Sequence, residues 1–393
     1  MQRSACVRPF PAFVRPGVLD LSLAPCLVSP QAMKDKAAEL FCLIDKVLTD
    51  ANFAASSRAI EILKESLSTV ESSIQSAGHR AAAKRIFAVQ TATGFVGELR
   101  GGVSYRDTLL GLLQEAQSDW PSVEKRLRSI RSRLLQRENF IVNLTGDSGA
   151  LAAAADGRGG AALISLLAAL PVGDAAAAEA AAATAAAHAS GEEGATVQIF
   201  TSALGNRGFD RESQWVKEIR ADHLLNRTVR EALLIPTKVN FVSQGGRMAS
   251  SGSSLRGQDF VVAASISTHH LWKKVREIGG AYGAGFVFDA SGLFCFTSFR
   301  DPQLVKTLRA YKETPAFLRK WAASMTESDV RRAIIAVLRD LDAPLPSDQK
   351  GTKSLWQLIA RQTEAHRRQF RKETLSTIEE LDLRLSFLLS YHE

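Results

Sequence analysis

Between Gly149 and Gly194 the composition changes abruptly: alanine dominates, as in Ala175–Ala178 and Ala180–Ala183. Such a stretch favours helix locally, and Asp174 could cap one, but it offers almost nothing large to bury. Without apolar burial a segment cannot offset the entropy lost on ordering. The tract is therefore expected to be a mobile surface insertion separating two patterned units. With 393 residues, 46% of them apolar and 23% charged, the chain can build a core in each.

The first unit reads as helical. Leu40, Ile44 and Leu48 recur at helical spacing, and Ile60, Leu63, Leu67 and Val70 continue an apolar stripe. Further helices are expected over Ile74 to Val89 and Tyr105 to Ala116. Trp120-Pro121 opens another, with proline at the first position, where a missing N–H costs nothing. Phe140 to Leu144 then reads as a short strand closed by Thr145-Gly146-Asp147.

The second unit mixes periods. Thr237 to Ser243 alternates like a half-buried strand, and residues 257–277 carry a helical stripe. Gly285–Asp289 and Leu293–Phe299 read as a hairpin about the turn Asp289-Ala290-Ser291-Gly292, with Phe286, Phe288, Phe294 and Phe296 on one face. Three helical stretches follow. Pro302 starts the first, with Asp301 as its expected cap, and Thr326-Glu327-Ser328-Asp329 has the form of a capping box. Interleaved helices and antiparallel hairpins give an α+β fold rather than a doubly wound sheet.

The formal net charge of +8 raises the question of an anionic partner. Its carriers are scattered over helix faces, such as Lys125, Arg126, Arg128, Arg131 and Arg133, which reads as solvated surface and not as a nucleic-acid interface. Cys6, Cys26, Cys42 and Cys295 lack ligand spacing, so neither a disulfide framework nor a thiolate metal site is indicated. No apolar run approaches the roughly 20 residues of a membrane span. Arg3, Arg8 and Arg15 precede the first acid, Asp20, as in organellar transit segments, although Pro9, Pro11 and Pro16 interrupt any helix there.

A set of motifs is more specific. Leu271-Trp272-Lys273-Lys274-Val275-Arg276-Glu277-Ile278-Gly279-Gly280-Ala281-Tyr282-Gly283 is followed by Ser291-Gly292-Leu293-Phe294 and by Ser298-Phe299-Arg300-Asp301-Pro302. Upstream stand Gly78-His79 with Arg85, Gly101-Gly102-Val103-Ser104-Tyr105, Asp119-Trp120-Pro121, Asn143 to Asp147 and Ile235 to Val242. In order and spacing these resemble the presequence protease/falcilysin branch of the pitrilysin-type zinc metallopeptidases, from about residue 28 to the C-terminus.

The resemblance implies a clamshell of two halves, each made of two related α+β domains. It places residues 28–148 in a partial third domain and residues 196–393 in the fourth, with 1–27 outside the match and 149–195 as the alanine-rich insertion. In the family, zinc sits in the first domain, held by a His-x-x-Glu-His helix and a distal glutamate. None of the seven histidines here begins that pattern. His269-His270 is the only close pair, and neighbours on a helix point about 100° apart, a poor clamp for one ion. No metal ligand is therefore assigned to this chain.

What the resemblance assigns to this half is substrate binding. Arg276, on the last turn of a helix, and Tyr282, before a strand, correspond to groups that hold the peptide and stabilise its carbonyl oxygen; Gly279 and Gly280 form the bend between them. An arginine at a helix end and a tyrosine before a strand also have ordinary structural uses. The remaining motifs read as architecture, with Trp120 and Trp272 as core or interface anchors and His79 and Arg85 as structural groups.

The chain is thus expected to be the C-terminal substrate-binding part of a zinc metalloendopeptidase, inactive alone. Its expected partners are unfolded peptides and the zinc-bearing N-terminal half, on the same longer chain or a separate one. Its expected home is a mitochondrion or plastid-like organelle, with a digestive vacuole or the cytoplasm as the other settings. The rival reading is a non-catalytic pitrilysin-like subunit that binds peptides or scaffolds an assembly.

Overall fold

The computed structural model describes residues 30–137, 140–155, 157–171, 217–218, 228–247, 256–288, 292–359 and 362–377. The expected transit-like segment, the later part of the alanine-rich tract and most of the hairpin turn lie outside these residues.

The first unit is a helical layer: α1 (Ala37–Thr49), α2 (Ser56–Ala88), α3 (Ala92–Leu99), α4 (Val103–Ser118) and α5 (Trp120–Leu134). The two helices expected before Val89 join in α2, which departs from helical backbone only at Ala77 (φ −139°, ψ 43°). At α5, Asp119 caps the start by accepting from the Ser122 N–H, and the Trp120 indole donates to the Phe53 carbonyl at 3.1 Å. Phe140 to Leu144 forms no strand. Strand propensity there finds no partner edge, and without a ladder the backbone stays irregular.

The alanine-rich tract begins with order where a loop was expected. α6 (Ser148–Ala155) and α7 (Gly157–Ala169) are helical, and α7 packs against α1 with Leu166 and Leu170 buried. The reason is local: Leu163, Leu166, Leu167 and Leu170 supply the apolar bulk that the later alanines lack.

The second unit centres on a three-stranded antiparallel sheet in the order β1-β3-β2, with β1 at Ser243–Arg247, β2 at Gly283–Phe288 and β3 at Leu293–Phe299. The strand expected over Thr237 to Ser243 is displaced toward the C-terminus, leaving a single bridge, Asn240 to Asp301, ahead of β1. On β2 and β3, Phe286 faces Phe296 and Phe288 faces Phe294, giving the aromatic face expected from alternation. This face joins a core with Val261, Val262, Leu271, Val275, Tyr311 and Trp321.

That core is closed by α8 (Gly257–Ser265), α9 (Ile266–Glu277), α10 (Leu304–Lys312), α11 (Thr314–Ser324) and α12 (Glu327–Leu341), followed by α13 (Ser347–Ile359) and α14 (Glu364–Leu375). The Thr326/Asp329 capping box forms as expected, and the Thr326 hydroxyl helps hold the Asp329 carboxyl down to about 2. Asp301 is not the cap of α10. It is fully buried and accepts from the Gln303 N–H at 2.7 Å and the Thr307 hydroxyl at 2.6 Å, pinning the turn from inside.

α9 is wound more widely than α8: the Ile278 N–H bonds five residues back, to the Lys273 carbonyl, at 3.1 Å. α2 covers β1 and β3 on the face opposite the aromatic core. There His79 stacks against Phe241 and meets Phe299 edge-on, so the two units share one interior. Among the described residues no helix is long and apolar enough to cross a membrane.

Candidate functional site

α9 ends at a bend built by Gly279 and Gly280. The Gly280 N–H bonds to the Arg276 carbonyl at 3.0 Å, and that of Ala281 reaches the Val275 carbonyl at 3.1 Å. Gly280 has φ +80°, a conformation that glycine adopts without cost. At Gly279 a Cβ would come within 2.5 Å of the Val275 carbonyl oxygen. Both glycines are therefore demanded by the backbone path.

The bend delivers Tyr282 just before β2, with its N–H 3.4 Å from the Arg300 carbonyl. The residue is 65% exposed, and its ring rests edge-on against Phe299, with centroids 5.5 Å apart. The Arg276 guanidinium carbon lies 5.8 Å from the Tyr282 ring centroid and 3.9 Å from that of Trp272. The structure thus brings Arg276 and Tyr282 together at one exposed bend. The phenol is not buried, and the two groups do not face opposite surfaces.

Sequence reasoning treated three neighbours only as structure. Trp272, read as an anchor, is 42% exposed and serves as the platform for Arg276. The signal was available, because residues four apart on a helix share a face. Phe299 links Tyr282 to His79. Arg300 adopts φ +50°, the only left-handed non-glycine backbone among the described residues, and its guanidinium lies 5.3 Å from the Phe299 ring centroid. Such backbone costs about 1–2 kcal/mol and is held only where its surroundings demand it; here the buried Asp301 anchors the next residue.

The other motif arginine is differently placed. Arg85 donates to both carboxylate oxygens of Glu231 (2.8 and 2.5 Å), lies 3.6 Å from the buried Glu98, and is 3.3 Å from the Ser104 hydroxyl. It ties α2 to the segment that follows the alanine-rich tract.

The histidines do not suit a catalytic zinc. Burial, with Arg80 nearby, pushes His79 below the usual imidazole range, and its ring is occupied by Phe241 and Phe299. His270 is also lowered by burial; its Nε2 lies 2.7 Å from the Ala310 carbonyl and its ring stacks on Phe317. His269 stacks on Trp321 instead. Among the described residues no three histidine, cysteine or acidic side chains gather into a metal-binding group. Cys295, buried in β3, has its thiol pushed up to about 12 by desolvation and is an inert core group.

Comparison with known proteins agrees with the motifs. Residues 230–385 match the model of the PreP C-terminal domain, and residues 20–112 match that of a peptidase-associated domain. The chain is 30% identical over 357 residues to presequence protease 1, chloroplastic/mitochondrial, of Arabidopsis thaliana, covering 90% of this chain and 29% of that protein. It is 22% identical over 324 residues to protein HypA of Clostridium perfringens, covering 82% of this chain and 28% of the relative. Against the mitochondrial presequence protease of Eremothecium gossypii it is 29% identical over 170 residues, which is 42% of this chain and 17% of the relative. The chain spans less than a third of the length of each of these relatives. It belongs to the presequence protease group of the pitrilysin-type peptidase family and corresponds to a C-terminal portion of it.

Proposed function

We propose that this chain is the substrate-binding C-terminal part of a zinc-dependent metalloendopeptidase that degrades peptides such as targeting presequences. The observation that carries the reading is the bend at Gly279-Gly280, where the Arg276 guanidinium and the exposed Tyr282 phenol meet beside one surface. The phenol O–H can donate to a peptide carbonyl oxygen as negative charge grows on it. The guanidinium offers planar N–H donors for a neighbouring backbone carbonyl. Donors fixed before the reaction act most strongly on charge that develops during it, and one such donor is worth about 3–4 kcal/mol at the transition state.

No zinc site is assigned to this chain, because its described histidines are engaged elsewhere. The metal ligands and the general base belong, in this reading, to an N-terminal half on the same longer chain or a separate one. The names of the Arabidopsis and Eremothecium relatives support a mitochondrial or plastid-like setting.

The test mixes this chain with a separately made N-terminal half carrying the His-x-x-Glu-His helix. Cleavage of an unfolded peptide should appear only in the mixture. Metal analysis should assign about one zinc to the N-terminal half and well below one to this chain. A stoichiometric, tightly held zinc on this chain alone would overturn the assignment.

A further inference from the structure

We infer that Arg276 and Arg300 form a two-arginine carboxylate-binding strip along Trp272, Tyr282 and Phe299, which reads an acidic group on the bound peptide. The inference rests on the peptide-binding reading above and adds a chemical preference to it.

The argument begins with how these arginines are held. Neither has a hydrogen bond or a carboxylate partner among the described residues; each is placed by an aromatic ring, Arg276 over Trp272 at 3.9 Å and Arg300 over Phe299 at 5.3 Å. A guanidinium held through its flat face keeps the N–H donors around its edge available, and those donors match a carboxylate two at a time. Arg85 shows the contrasting arrangement, with its edge already filled by Glu231.

The two cations are also linked. Arg276 contacts Tyr282, Tyr282 meets Phe299 edge-on at 5.5 Å, and Phe299 carries Arg300. Extended peptide advances about 3.3 Å per residue, so a few residues suffice to reach from one guanidinium to the other. Arg300 is exposed despite its left-handed backbone, and the Tyr282 N–H lies 3.4 Å from its carbonyl. The backbone strain at Arg300 thus sits next to the phenol that the site uses. Two unneutralised guanidinium groups beside stacked rings suit either the C-terminal α-carboxylate of a peptide or an Asp or Glu side chain.

Three versions of one labelled unfolded peptide separate these sources: a free C-terminal carboxylate, a C-terminal amide, and an amide with one internal Gln replaced by Glu. Fluorescence anisotropy would follow binding to the full chain and to its Arg300→Gly and Arg300→Lys variants. Glycine keeps the left-handed backbone while removing the guanidinium, and melting curves check that it remains folded. The expected result is that one of the two acidic peptides binds about tenfold more tightly than the neutral one. Arg300→Gly should abolish this preference while leaving neutral-peptide affinity unchanged, and Arg300→Lys should keep only part of it. Equal binding of all three peptides by the wild-type chain would overturn the inference, as would an Arg300→Gly loss shared equally by all three. Either result leaves the Tyr282-dependent grip standing. Absence of any peptide binding would remove both readings together.

Discussion

Two arginines in this molecule occupy similar local settings and have opposite surroundings. Arg85 lies near the end of α2 and close to Ser104, beyond the turn at Gly101-Gly102. Arg276 lies near the end of α9, ahead of the turn at Gly279-Gly280. Arg85 is enclosed by Glu231, Glu98 and Ser104, and its donors are spent on holding the chain together. Arg276 is supported through its face by Trp272 and Tyr282 and has no carboxylate beside it. The comparison teaches that an arginine's use is read from what neutralises it, since both residues share the same sequence signature of an arginine near a diglycine.

The sharpest way to break that comparison is to truncate both. Arg85→Ala should destabilise the fold by about 1.5–3 kcal/mol, because it leaves the buried Glu98 and the partner Glu231 without their charged donor. Arg276→Ala should cost no more than about 1 kcal/mol, the scale of an exposed cation–π contact. Urea denaturation measures both, and equal losses would remove the distinction between a strap and a site.

The bend offers a second test. At Gly280 an added Cβ meets only Pro302 Cγ at 3.6 Å, so Gly280→Ala should act through backbone conformation alone. The left-handed φ predicts a cost of about 1–2 kcal/mol. Because the bend sets where Tyr282 stands, peptide affinity should fall as well. Unchanged peptide affinity in a measurably destabilised variant would separate the bend from the site.

How far these features could be read in advance depends on how local they are. The start of α5 at Asp119-Trp120-Pro121, the Thr326/Asp329 capping box and the phenylalanine face of β2 and β3 each depend on residues a few positions apart, and their spacing announced them. The exposure of Tyr282 and its approach to Arg276 followed the same bend and the same short span. Arg85 is different. Its partner Glu231 lies 146 residues away, across the alanine-rich tract, and no local pattern joins them. His79 meets Phe241 and Phe299 for the same long-range reason. Phe140 to Leu144 misled because strand propensity counts only where a neighbouring strand can pair, and the alanine-rich tract misled because four leucines at its start outweigh their alanine neighbours.

The smallest expected effect concerns pH. Burial depresses His270 and His79 below the unfolded imidazole value of about 6.5, so the folded chain resists taking up their protons. Their contribution to stability is complete above that value and falls as the pH drops toward the depressed folded values, where the unfolded chain binds more protons. Melting temperature should therefore decline from pH 7 to 5. His270→Gln, which keeps a donor for the Ala310 carbonyl, should flatten the part of the decline due to His270 and leave that of His79. An unchanged slope would show that the buried imidazole does not govern it.

The most direct measurement titrates one labelled unfolded peptide into the full chain and into its Tyr282→Phe, Arg276→Ala and Arg85→Ala variants, at a temperature where all four remain folded. Arg276→Ala and Tyr282→Phe should each weaken binding about tenfold, the loss of roughly one good hydrogen bond, while Arg85→Ala binds as the wild type does. Equal affinity across all four proteins, or a loss confined to Arg85→Ala, would contradict the assignment of the α9 bend as the peptide-holding surface.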